Sequence, residues 1–139
     1  MRRTTKRFIG ILEKEPDTLF GIWFPDLPGC TSAGETADEA LQNATKAVRL
    51  WAESALDDGE TIPQPRPLDD LLQDADVKES LKAGATTTLV PLYLSSGRTT
   101  RVNISVDTGY LAAIDDAAAQ FGQSRSAFIL DAAREKIGM

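Results

Sequence analysis

Apolar residues in this chain recur with two different periods. Phe8-Ile9-Gly10-Ile11-Leu12 and Leu19-Phe20-Gly21-Ile22-Trp23-Phe24 are short apolar runs bounded by polar residues, the pattern of two strands. Between them lies Glu15-Pro16-Asp17-Thr18, with proline at the second position of a tight turn, so the pair reads as a hairpin. Pro25 and Pro28 remove backbone donors, so regular pairing must break at Pro25-Asp26-Leu27-Pro28-Gly29. Cys30-Thr31-Ser32-Ala33 resumes as a short third strand. The period then lengthens. Thr36-Ala37-Asp38-Glu39 has the form of a capping box, and Leu41, Ala44, Val48, Trp51 and Ala55 follow at spacings of three and four, one face of a helix that ends at Asp57-Asp58-Gly59. Alternating Pro63, Pro65 and Pro67 enforce an extended path. Leu68 to Leu72 suits a turn or two of helix, Gln73 to Ala85 has no decisive pattern, and Thr88 to Leu94 reads as a strand whose Pro91 prefers an edge or a bulge.

After the flexible joint Ser95-Ser96-Gly97 the pattern is strand, helix, helix. From Thr99 to Val106 alternation is strict: Val102, Ile104 and Val106 share one side, and Thr99, Arg101, Asn103 and Ser105 the other. Asp107 is placed to cap a helix with the stripe Leu111, Ile114, Ala118 and Phe121. Gly122 breaks it, and Ser124 caps a second helix that turns Phe128, Ile129, Ala132 and Ile137 inward. One strand and two helices cannot bury a stable core, and the strand has no partner in its own segment. Two copies must therefore pair strand against strand. The expected dimer core is Val102, Ile104, Val106, Leu111, Ile114, Phe121, Phe128 and Ile129. The predicted class is α+β, with one domain over residues 1–96 and a second over 97–139.

Charge supports that division. The chain has 139 residues and a net charge of −6. Residues 97–139 hold five basic and five acidic side chains, so all the net acidity belongs to the first domain. Such a balance argues against a surface that coats nucleic acid throughout. With no histidine, Ser-His-Asp and Cys-His catalysis and His-ligated zinc drop out. A single cysteine, Cys30, excludes an internal disulfide and reads as a small packed residue. Arg2, Arg3, Lys6 and Arg7 precede an apolar run that stops at Glu13-Lys14-Glu15, too short for a signal peptide. No apolar stretch is long enough to span a bilayer, so a cytoplasmic protein is expected.

Paired about a twofold axis, two strands would display Arg101, Asn103 and Ser105 on a ribbon sized for the DNA major groove, where arginine suits guanine and asparagine suits adenine. Ser124-Arg125-Ser126 offers amide groups, hydroxyls and a guanidinium to a phosphate. The plain alternative is a solvated strand face and an ordinary helix cap; strand face and helix start together favour DNA. In the first domain, Glu13, Asp17, Asp26 and Glu35 invite a Mg2+ nuclease reading. No spacing fixes two metals, so neither a metal nor a cofactor is expected, and the chain is not read as an enzyme. Trp23 and Phe24 are adjacent in a strand and point opposite ways. Either one anchors a partner at the Pro25–Pro28 rim, or the second lies under the helix of residues 37–56.

Arg101 to Val106, the leucine-isoleucine stripe and Gly122-Gln123-Ser124-Arg125-Ser126 resemble the ribbon-helix-helix family of bacterial repressors over Thr99–Ile137. That resemblance implies base contacts from Thr99, Arg101, Asn103 and Ser105, and backbone-phosphate contacts at Ser124, Arg125 and Ser126. Ser105 departs from the longer basic residue often found there, which implies weaker base reading. Trp23 through Thr36, including Pro-Asp-Leu-Pro-Gly-Cys ahead of Gly-Glu-Thr, together with Ile62-Pro63-Gln64-Pro65, resembles the HicB antitoxin family over roughly residues 6–94. It implies a partial RNase H-like fold without catalysis and a HicA-like, mRNA-cleaving RNase toxin as partner. Trp23, Phe24, Asp26, Leu27 and Glu35 are the candidate toxin contacts. The expectation is an antitoxin that neutralises this toxin and represses its own operon, as a homodimer or tetramer, at operator DNA with twofold symmetry. The rival is a ribbon-helix-helix repressor whose first domain senses a ligand and has no toxin partner.

Overall fold

The computed structural model describes residues 5–14 and 16–139. Arg2, Arg3 and Glu15, read above as parts of the basic start and of the first turn, lie outside the described residues. Contacts divide the chain into two units, the first ending at Leu94 and the second running from Ser95 to Met139.

In the first unit β1 (Arg7–Lys14), β2 (Phe20–Trp23) and β3 (Thr31–Gly34) are followed by α1 (Ala37–Asp57), α2 (Leu68–Leu71), α3 (Ala75–Lys82) and β4 (Thr86–Pro91). The sheet order is β3-β2-β1-β4 and every neighbouring pair is antiparallel. The expected hairpin forms, with Lys14 opposite Phe20 and Ile11 opposite Trp23. Strand alternation turns Phe8, Ile22 and Val90 into one core with Phe24, Leu27 and Cys30. α1 closes that core with small residues, Ala40, Ala44 and Ala52 around Val48, which let helix and sheet approach closely. On the other side of β1, Ile11 is fully buried, as are Leu71 and Val77, and α3 lies against the strand.

Thr36 and Asp107 cap α1 and α4 as expected. The Thr36 hydroxyl accepts from the Glu39 N–H at 3.0 Å. The Asp107 carboxylate accepts from Gly109 and Tyr110 at 2.8 and 3.2 Å. The undecided stretch from Gln73 to Ala85 contains α3, started by Asp74, whose carboxylate accepts from the Asp76 and Val77 N–H groups. The strand expected at 88–94 starts two residues earlier and ends three earlier. It is an edge strand, so Pro91, at its last position opposite Arg7, removes no needed donor.

The second unit has α4 (Thr108–Gln120) and α5 (Arg125–Ile137), joined through Gly122 at φ 67°. Phe121 and Phe128 hold the two helices together with ring centroids 6.1 Å apart. Residues 99–106 form no ladder within the chain, which corrects the strand reading for a single copy. A strand exists only by pairing, and one chain offers this segment no partner.

Candidate functional site

In the second unit the alternation of residues 99–106 leaves both sides of the segment in solvent. Val102 and Ile104 are 74% and 64% exposed, and Phe121 is 72% exposed. Large β-branched and aromatic side chains at such exposure mark a surface that another molecule covers. Leu111, Ile114, Phe128 and Ile129 are half-buried, and Val106 likewise. The segment and α5 flank a groove of about 870 Å³ lined by Arg101, Val102, Ile104, Leu111, Ile129 and Leu130. Thr99, Arg101, Asn103 and Ser105 are all exposed.

At the start of α5 the Ser124 hydroxyl accepts from the Ala127 N–H at 3.1 Å, so it serves as a cap. Ser126 is exposed. Arg125 is not idle: its Nε–H and Nη2–H groups donate to the two carboxylate oxygens of Asp115, both at 2.8 Å. The fork geometry holds the Asp115 carboxyl below the usual carboxylate range and raises the guanidinium further. Arg125 is thus engaged by Asp115, a pairing with no signal in the sequence.

In the first unit the five candidate contacts separate. Trp23 is half-buried at the end of β2, and Glu35 is exposed between β3 and α1. Phe24 and Leu27 are 3% and 1% exposed, so both belong to the core rather than to a docking rim. Their burial follows from the loop's own turns: the Leu27 N–H donates to the Phe24 carbonyl and the Cys30 N–H to that of Leu27. Asp26 is withdrawn as well. Its side chain is 6% exposed and accepts from the Arg66 N–H at 2.8 Å and from the Arg66 Nε–H. The Trp51 Nε1–H donates to the Pro28 carbonyl at 2.9 Å. Trp51 and Arg66, missed as functional positions, thus fasten the Pro-Asp-Leu-Pro loop to α1 and to the proline-rich strap. Arg66 lies between Pro65 and Pro67, whose extended path presents its backbone N–H sideways.

Among the described residues no group of three or more His, Cys, Asp or Glu side chains is arranged to hold a metal ion. Glu13, Asp17 and Glu35 are exposed and Asp26 is occupied by Arg66. Cys30 is 4% exposed, and burial pushes its thiol up to about 11. In the native protein at pH 8 it is expected to resist iodoacetamide and to react fully once denaturant is added. Stoichiometric labelling of the folded chain, read by intact mass, would contradict its placement in the core. No helix among the described residues is long and apolar enough to cross a membrane.

The chain consists of a mixed α+β unit and a unit of two helices with an exposed apolar seam. The chain belongs to the HicB-like antitoxin family of bacterial toxin-antitoxin systems, whose sequence profile matches residues 8–133. It is therefore similar in kind to regulatory antitoxins. Burkholderia pseudomallei antitoxin HicB superposes with a TM-score of 0.53 at 29% identity, covering 95% of this chain and 96% of that one. A chain of a HicA3 and HicB3 toxin-antitoxin complex matches at 25% identity and a TM-score of 0.52, over 63% of this chain and 99% of that one. An uncharacterized 14.9 kDa protein of Haemophilus phage HP1 is 34% identical over 91 residues, 66% of each chain.

Proposed function

We propose that this chain neutralises an RNase toxin through its first unit and represses its own operon through a dimer of its second. The observation that supports the first half is the match of 63% of this chain to 99% of a chain from a HicA3 and HicB3 toxin-antitoxin complex. The acidity of residues 1–96 suits a small basic partner. With Phe24, Leu27 and Asp26 turned inward, contact falls to Trp23, Glu35 and neighbouring exposed side chains. The second half rests on the open seam of Val102 and Ile104. A second copy laid antiparallel along residues 99–106 completes the ladder, covers the seam and leaves Thr99, Arg101, Asn103 and Ser105 of both copies on one outer face. Such a ribbon fits the major groove of an operator with twofold symmetry, while Ser124 and Ser126 at each α5 start meet flanking phosphates.

The test is purification of the tagged chain from its host, with intact-mass analysis of what co-elutes. A stoichiometric small basic protein is the expected result; elution of the chain alone, from cells that express the neighbouring gene, would overturn the toxin reading. For the DNA half, Arg101→Ala is expected to weaken operator binding by about 1–3 kcal/mol, the worth of a bidentate base contact, while leaving partner binding intact. Operator affinity equal to wild type in a gel-shift titration would remove Arg101 from the reading face.

A further inference from the structure

We infer that Asp115 withholds Arg125 from the DNA backbone and so limits the affinity of this chain for DNA of any sequence; the inference rests on the DNA-binding reading of the second unit. Arg125 opens α5, where first-turn amide groups have no intrahelical acceptor and a phosphate would sit. An arginine at this position with its charge free would bind every phosphate alike, because backbone contacts carry no sequence information. Here the guanidinium is turned back to α4. Two of its five N–H groups are spent on Asp115, both at 2.8 Å, and the carboxylate cancels its charge. The neighbouring Asp116 differs: it accepts from the Gln120 side chain at 3.4 Å and does not touch Arg125. The same charge thus occurs at two adjacent positions, only one of which engages the arginine. Neutralising Arg125 leaves a larger share of the binding free energy to Arg101 and Asn103, which read bases. Asp115 therefore lowers the affinity for operator and unrelated DNA alike while touching no DNA.

The test uses this chain of 139 residues in the proposed dimeric form, with binding to an operator duplex and to an unrelated duplex measured across a salt series. Asp115→Asn is expected to tighten both by about threefold to tenfold and to steepen the salt dependence by about one for each protomer. Asp116→Asn, which removes the same charge, is expected to change both by a smaller factor. The double variant Asp115→Asn with Arg125→Gln removes the pair whole and is expected to bind within about twofold of wild type. Three results would overturn the inference: equal gains from Asp115→Asn and Asp116→Asn, weaker binding by Asp115→Asn, or a severalfold loss in the double variant. The last would mean that Arg125 contacts phosphate while still paired. The wild-type chain gives an independent reading, since its Arg125 Nε–H resonance should hold its paired position as duplex is added; movement in step with added duplex would likewise overturn it. A wild-type chain that binds neither duplex overturns the DNA reading itself, and this inference with it.

Discussion

Ile104→Asp is expected to yield a monomer that has lost operator binding by at least about a thousandfold. Ile104 is 64% exposed in one chain and lies in the middle of the run Val102, Ile104, Val106 that a second copy would cover. A twofold ribbon brings the two copies of this position close together, so the substitution buries two like charges without partners. Each such burial costs several kcal/mol, and about 4 kcal/mol is already a thousandfold in an equilibrium constant. Because contacts separate the units at Leu94, the thermal transition of the first unit should stay where it is. Sedimentation equilibrium at micromolar concentration checks the assembly; a variant that remains dimeric would contradict the ribbon.

The second large effect is expected in the other unit. Gly34 closes β3 and faces the start of α1 so tightly that a Cβ there would lie 2.5 Å from the Ala40 nitrogen and 2.8 Å from the Glu39 carbonyl carbon. Both are backbone atoms of a capped helix, so no rotamer change relieves the clash. Either α1 moves off the sheet or β3 leaves it, and Ser32, whose hydroxyl donates to the Ala40 carbonyl at 3.0 Å, is disturbed in both cases. Gly34→Ala should lower stability of the first unit by about 3 kcal/mol, the upper end for overpacking a core. Partner capture should fall with it while operator binding by the second unit persists. Chemical denaturation followed by Trp23 and Trp51 fluorescence measures the loss; an unshifted midpoint would mean that helix and sheet do not meet as described.

How much of this was legible in the sequence depends on the range of the interaction involved. Caps at Thr36, Asp107 and Ser124 were readable because cap and amide lie within three residues. The α3 start at Asp74 uses the same chemistry, but the helix after it carries few apolar residues and buries only Val77, so periodicity was silent. The Asp26–Arg66 pair spans 40 residues and has no local signature. Without it the Pro-Asp-Leu-Pro loop reads as an open rim, which is why Leu27 was placed among the candidate contacts and Phe24 was left between rim and helix; both are found in the core, Phe24 with the α1 residues. Arg125 and Asp115 sit ten residues apart on different helices, on either side of the turn at Gly122, so no local pattern pairs them. The exposure of Val102 and Ile104, by contrast, was legible from the size of the segment: one strand and two helices are too small to bury that stripe.

The central claim is that this chain silences an RNase by binding it. The most direct measurement is RNA cleavage by the protein that co-purifies with the chain, freed of it by denaturation and refolding, then titrated with the intact chain. Cleavage is expected to fall linearly and to vanish at a fixed stoichiometric ratio, with Gly34→Ala shifting that point to higher ratios. Cleavage unaffected by excess folded chain would contradict the account.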